Sequence, residues 1–360
     1  MKEPLDTYVF KEELGHGRFG TASRVFSPRY NCDFCMKVID KGKNKNDKFT
    51  RQMFIQETEV LRKVGHPNVI RLYDYFETPN SYNIVMEYCP KMTLNDVLEE
   101  KKVLSLNTIR IYFRQILDAT AYFHSLNITH RDIKPSNIAL DSLDRPKYID
   151  WGLSLYSPSD ALVTSFCGTF PYAAPECMKK CAYDPKKSDM YSIGICLYIL
   201  AFGKHPFNPE SHSIAIAEAF RGEYSIPPTD ETFAALVRNL IQLDPSKRLS
   251  ARAALEHPFF TKFGSNASGS SSCTNVKSGF SSASSNYSVG SFSTRDIVLP
   301  STKPACDGLT RTNSNGTHQR QIVPGYDLMF KKAQQQLNKV EPARKMRSQP
   351  NSPNAQLHLQ

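Results

Sequence analysis

The chain is poor in tryptophan and in long apolar runs. One indole, Trp151, serves all 360 residues, and no stretch reaches 18 uninterrupted apolar residues. The opening "MKEPLDTYVF" also lacks an apolar core of signal-peptide length. These absences predict a chain with no transmembrane segment, resident in the cytoplasm or the nucleus. Cysteine is present but unpatterned. The nine thiols form an odd set without a repeated spacing, which suits free thiols in a reducing compartment. Cys32 and Cys35 make a CxxC, but they fall in a β-like run, where an offset of three sends them to opposite faces.

What is present divides near Gly264. Up to Phe263 apolar runs alternate with turn signals; beyond it "GSNASGSSSCTNVKSGFSSASSNYSVGSFST" carries too few apolar groups to offset its ordering entropy. The expectation is a folded part at about 8–262 and a disordered Ser-rich tail at 264–360. The tail holds 11 lysines and arginines against 4 aspartates and glutamates, so +7 of the net +10 charge lies there. The basic balance therefore does not mark a nucleic-acid groove in the folded part. It marks a tail suited to acidic partners or membrane surfaces. Within the tail, Phe330, Ala333, Leu337 and Val340 space out a short basic amphipathic helix at about 326–340, a segment for calmodulin-like or intramolecular docking.

The folded part begins with three strand-like runs over Tyr8 to Asp40, then a helix over about 48–64 closed by Gly65 and Pro67. Two further strands fit "VIRLYDYFE" and "SYNIVMEY". After Cys89 the pattern turns helical. Ile109, Tyr112, Phe113, Ile116, Ala119 and Phe123 recur at helical spacing within 105–127, and "SDMYSIGICLYILAFG" is apolar on every side, as in a helix buried in a core.

"GHGRFG" at 15–20 is a GxGxxG lying between two strands rather than opening a helix, which separates it from a dinucleotide fingerprint. Gly15, Gly17 and Gly20 would let the backbone approach phosphates, with His16, Arg18 and Phe19 in the same turn. Lys37 on the third strand can reach two phosphate groups if a carboxylate holds it, and Glu57 on the first helix is chosen over Glu59 for that part. "HRDIKPSN" at 130–137 then supplies, within six residues, an acceptor-orienting carboxylate (Asp132), a cation (Lys134) and an oxygen ligand for a metal (Asn137). Asp150, thirteen residues beyond Asn137, is a second and stronger ligand for Mg²⁺.

This ordered set resembles the eukaryotic protein kinases over about residues 8–262. The resemblance implies an α+β, bilobal fold: a small antiparallel-sheet N-lobe with one helix at about 8–88 and a mainly helical C-lobe at about 89–262. It implies ATP and Mg²⁺ in the cleft and protein substrates. "KYIDWG" then corresponds to the family's Asp-Phe-Gly stretch, with Trp151 in the place of phenylalanine and with Leu61, Leu72 and His130 as its neighbours above Asp189. "CGTFPYAAPE" matches the Ala-Pro-Glu end of an activation segment, with Glu176 paired to Arg248, and this opposes a small-molecule phosphotransferase. Lys134 and Thr169 resemble the serine/threonine class, and the wording around "YAAPE" resembles the calcium/calmodulin-dependent kinase-like group. By the same correspondence Ala22, Cys35 and Ala139 sandwich adenine, Met86 is the gatekeeper side chain, and Glu87 and Cys89 present backbone groups to the base. The group's two substrate-reading glutamates correspond to Thr93 and Ser136, neither of them acidic. Arg131 is the residue that receives a phosphate on Ser165, with Thr164 adjacent, which implies an upstream activating kinase. The alternative, favoured by Trp151 and the small Ala139, is a scaffold that keeps the fold and binds nucleotide or partners without efficient turnover.

Overall fold

The computed structural model describes residues 7–17, 20–42, 47–157, 161–179, 182–208 and 211–261. Arg18, Phe19, the tail and its candidate helix at 326–340 lie outside the described residues.

Three antiparallel strands open the fold: β1 (Val9–Gly17), β2 (Gly20–Ser27) and β3 (Cys32–Asp40). Period-two alternation drives the inner two, burying Ser23, Val25 and Ser27 on β2 and Phe34 and Met36 on β3. α1 (Asp47–Lys63) follows, and its inward stripe is Phe54, Glu57, Val60 and Leu61. A carboxylate thus occupies a position that helical spacing otherwise reserves for apolar side chains. β4 (Leu72–Glu77) and β5 (Ser81–Glu87) complete a five-stranded sheet in the order β1-β2-β3-β5-β4. Cys35 lies opposite Met86, and Lys37 lies between Ala22 and Ile84.

The second lobe is helical. α2 (Leu94–Lys101) starts at Thr93, whose hydroxyl and Asp96 make a reciprocal capping box. α3 (Leu106–Ser125), capped by Ser105, buries Ile109, Phe113, Ile116, Ala119 and Phe123, while Tyr112 packs at the core's edge. Four short strands follow: β6 (Ile128–Thr129), β7 (Ile138–Leu140), β8 (Pro146–Tyr148) and β9 (Leu155–Tyr156). They pair as β6 with β9 and β7 with β8. These ribbons present the loops that carry the chemistry. α4 (Pro175–Met178) precedes α5 (Pro185–Phe202), which is buried along nearly its whole length. α5 begins three residues before the apolar run, because Asp184 caps it and Pro185 fits its first turn. It ends before Gly203, which takes the left-handed conformation at φ 66°. α6 (His212–Arg221), α7 (Glu231–Leu240), α8 (Ala251–Leu255) and α9 (Pro258–Thr261) close the lobe. Among the described residues no helix is long and apolar enough to cross a membrane.

Candidate active site

The cleft between the lobes is organised by a partly buried cation. Lys37 Nζ donates to Glu57 Oε1 at 2.8 Å and Oε2 at 2.9 Å, and to Asp150 Oδ1 at 3.1 Å. Glu57 is 2% exposed, whereas Glu59 faces solvent. Burial would lower the Lys37 ammonium, but the Glu57 and Asp150 charges more than offset it and hold the group above its ordinary value. Burial would likewise raise Asp150, yet the Lys37 charge and the Lys37 and Gly152 hydrogen bonds bring its carboxyl down to about 2. A Cβ on Gly152 would lie 3.3 Å from both Asp150 Oδ1 and Lys37 Nζ, so those side chains would have to shift by a few tenths of an ångström to accommodate it. A Cβ on Gly20 would run into the Val38 carbonyl, so β2 can begin this close to β3 only with glycine.

Trp151 seats Asp150. Its ring is fully buried, 4.9 Å from the His130 ring and edge-on to Phe123 at 5.3 Å and Tyr148 at 6.2 Å. Leu61 and Leu72 belong to the same core. The Trp151 carbonyl accepts from Ser154 N at 3.0 Å and Ser154 Oγ at 2.6 Å, which fixes the turn after the aspartate. Phe123 and Tyr148 were not expected around the indole. Both carry a helix or strand periodicity of their own, and no local motif points to this contact.

The 130–137 loop is anchored from below by Asp189, 1% exposed, which accepts from His130 N at 2.9 Å and Arg131 N at 2.8 Å. Asp132 is held on three sides. Thr169 Oγ1 donates to Oδ1 at 2.7 Å, Lys134 Nζ approaches Oδ2 at 2.9 Å, and Asn137 Nδ2 donates to Oδ2 at 3.0 Å. Lys134 Nζ also donates to Thr169 Oγ1 at 2.8 Å, closing a ring of polar groups. Because the Asn137 amide donates to Asp132, its carbonyl oxygen is the atom left to a cation. The Ile149 N–H donates to Asn137 O at 3.1 Å, so the segments bearing Asn137 and Asp150 adjoin. Two hard oxygen donors on adjoining segments fit Mg²⁺, which takes one or two protein carboxyl or carbonyl oxygens along with substrate phosphates.

The activation segment lies against this loop. Arg131 Nη2 donates to Ser165 Oγ at 3.1 Å and to Ser165 O at 3.3 Å, while Thr164 is exposed. Val163 and Tyr183 exchange backbone hydrogen bonds of 2.9 Å in each direction, and Tyr183 Oη donates to Ser165 O at 3.0 Å. Arg248, 1% exposed, meets Glu176 at 2.6 and 3.2 Å and donates to the Gln242 and Lys187 carbonyls.

Of the remaining expected residues, Gly15, His16 and Gly17 line the exposed end of β1, and Ala22 and Cys35 face the cleft region on β2 and β3. Met86 is buried next to Glu87, the last residue of β5, with Cys89 two residues beyond, and Ala139 is buried on β7. Burial pushes the Cys35 thiol up to about 11, Cys89 to about 12 and Cys167 to about 11, so all three stay protonated near neutrality.

A carboxylate-held lysine, two adjoining metal-fit oxygens and a carboxylate ringed by lysine and threonine define a phosphotransferase cleft. The chain belongs to the protein kinase family, whose "Protein kinase domain" profile matches residues 8–260. Maternal embryonic leucine zipper kinase of Xenopus tropicalis is 33% identical over 262 residues, covering 72% of this chain and 40% of its own length. The SNF1-related protein kinase catalytic subunit alpha KIN12 of Arabidopsis thaliana is 34% identical over 258 residues, 71% of this chain and 52% of that protein. NUAK family SNF1-like kinase 2 of Homo sapiens is 32% identical over 250 residues, 69% of this chain and 40% of its own. The chain thus spans about half or less of the length of these relatives. They agree with the resemblance to serine/threonine kinases of the calcium/calmodulin-dependent kinase-like group, and a scaffold without turnover finds no support among them.

Proposed function

We propose that the chain is an ATP-dependent protein kinase that transfers the γ-phosphoryl group to serine and threonine hydroxyls of protein substrates. The observation that carries this reading is the simultaneous engagement of Lys37 with Glu57 and Asp150. It places a fixed cation beside a free carboxylate oxygen, as a triphosphate with its metal requires. Lys37 would grip the α- and β-phosphates, with Gly15, His16, Gly17, Arg18, Phe19 and Gly20 covering them and Ala22, Cys35, Met86 and Ala139 enclosing adenine. Glu87 O and Cys89 N–H would meet the base edge. Mg²⁺, held by Asp150 Oδ2 and Asn137 Oδ1, would neutralise charge on the phosphates. Asp132 would orient the acceptor hydroxyl and take its proton late in transfer, while Lys134 neutralises charge on the moving group. Thr169 bridges both of these side chains, which ties the activation segment to the reacting centre.

The two positions that correspond to the group's substrate-reading glutamates do not themselves supply charge for an arginine three residues before the acceptor, so the motif is read from a peptide array. Thr93 and Ser136 are neutral, and Oδ2 of the nearby Asp96 accepts from Thr93 N and Thr93 Oγ1, each at 2.8 Å. The test is incubation of the purified chain with Mg²⁺, labelled ATP and a peptide array, beside Asp132→Asn. Labelling of Ser/Thr peptides by wild type and its near-complete loss in a folded Asp132→Asn support the proposal. Equal labelling by the two proteins, or none by wild type, refutes it.

A further inference from the structure

One buried cation takes no part in the chemistry above. Lys147 is the central residue of β8 and the register partner of Ala139 on β7, and it is 5% exposed. Its Nζ donates to the Pro67 carbonyl at 2.7 Å and lies 3.1 Å from both Glu87 carboxylate oxygens. An ammonium has three donors, and three acceptor atoms surround this one.

The location of the carboxylate gives the contact its meaning. Glu87 is the last residue of β5, where the chain leaves the sheet and crosses to the second lobe. Its N–H donates to Arg71 O at 2.8 Å, and its carboxylate lies 3.4 Å from Arg71 N. β8 is itself joined to the segment after α1. Tyr148 N–H donates to Asn68 O at 3.0 Å, Ile70 N–H donates to Tyr148 O at 2.9 Å, and Asn68 Nδ2 donates to Pro146 O at 2.7 Å. A single ammonium therefore joins the strand beneath the proposed adenine site, the connection behind α1, and the start of the crossing between lobes. A carboxylate merely needed to satisfy a buried lysine could come from any neighbouring element; here it comes from the residue whose carbonyl would face adenine.

We infer that Lys147 is a positioning residue for the nucleotide. By holding the Glu87 side chain from behind, it fixes the direction in which Glu87 O and Cys89 N–H point into the cleft. This rests on the proposed nucleotide site. Hydrogen bonds to a base weaken steeply with misalignment, so releasing Glu87 loosens the grip on adenine. The groups around Asp132 are held through Lys134, Thr169 and Asn137, none of which touches Lys147, so the transfer step keeps its geometry.

The test uses the full chain as wild type, Lys147→Met, Glu87→Gln and the double variant. Methionine keeps the apolar stem and removes the charge. ATP Kd is measured by calorimetry, with the KM for ATP, the KM for peptide, kcat and the melting midpoint measured alongside. Lys147→Met should raise ATP Kd and KM by about tenfold and leave kcat and peptide KM within about twofold. Glu87→Gln should do the same, and the double variant should be no worse than either single change. A lowered melting midpoint with unchanged ATP Kd in both single variants assigns Lys147 to stability alone and overturns the inference, as does strict additivity in Kd. A wild-type chain that binds ATP without transferring phosphate refutes the kinase reading, while the Kd comparison still decides the part played by Lys147. A wild type that binds no adenine nucleotide overturns both.

Discussion

The Arg131 guanidinium reaches the Ser165 hydroxyl at 3.1 Å before any phosphate is attached. The backbone pairing of Val163 with Tyr183 holds the same stretch of chain in place. The segment is thus seated by neutral contacts, and a phosphate on Ser165 would replace one neutral acceptor with several charged ones facing a fixed cation. Dephosphorylated protein should accordingly show measurable turnover, and phosphorylation of Ser165 by an upstream kinase should raise it by roughly tenfold. Steady-state rates before and after treatment check this. A Ser165→Ala variant that gains as much as wild type would assign the activation to another residue.

Trp151 is the sole tryptophan, so intrinsic emission reports on one site. Its ring is fully enclosed by Phe123, Tyr148 and His130, and the swing that would carry Asp150 away from Lys37 must move the bulkiest side chain in the core. Emission from the native chain should be blue-shifted and resistant to soluble quenchers. Trp151→Phe should cost roughly 1–3 kcal/mol through the space it leaves, with kcat within about threefold because the metal-fit oxygens are unchanged. Emission typical of a solvated indole would mean that the ring does not rest inward.

Sequence spacing made the chemistry legible because each short motif brings its groups together through local backbone geometry. Asp132, Lys134 and Asn137 sit within one loop, and their mutual contacts follow from that. The choice of Glu57 over Glu59 needed one further step, a helical face turned toward β3, and the structure places Glu57 there. The bonds between Lys147 and Glu87, and between Val163 and Tyr183, were not legible. They join residues 60 and 20 positions apart through strand edges whose pairing no local pattern announces. A lysine in the middle of β8 reads as a solvated strand residue until the fold buries it. Thr93 shows the same limit, since its hydroxyl proves to be a helix cap.

Arg248 and Glu176 form a deeply enclosed ion pair, and the arginine also donates to Lys187 O at 2.6 Å and Gln242 O at 2.7 Å. Truncating the arginine leaves the Glu176 carboxylate buried without its counter-charge and removes a donor from both carbonyls. Arg248→Met should therefore destabilise the chain by about 3–5 kcal/mol, read as a lowered midpoint in urea. Adding Glu176→Gln should recover part of that loss, because the uncompensated carboxylate is then removed. A single variant as stable as wild type would show that the pair is dispensable.

His205 sets a pH dependence on the floor of the same segment. Its Nδ1 accepts from Phe207 N at 3.3 Å, which leaves the proton on Nε2 to be donated to Pro171 O at 3.2 Å. Only the neutral ring can make both bonds, since a second proton on Nδ1 would face the Phe207 N–H. Burial pulls the group down from 6.5 to about 4, with the Pro171 hydrogen bond acting in the opposite sense but more weakly. A histidine whose folded value is depressed binds fewer protons than the unfolded chain does, so stability rises with pH across that interval. The contribution is fully present above about 6.5, the ordinary histidine value, and is lost as pH falls toward about 4. Thermal midpoints between pH 7.5 and 4.5 should fall less steeply in His205→Gln than in wild type, because the variant has no ring to protonate. Parallel profiles would show that another group governs acid sensitivity in this range.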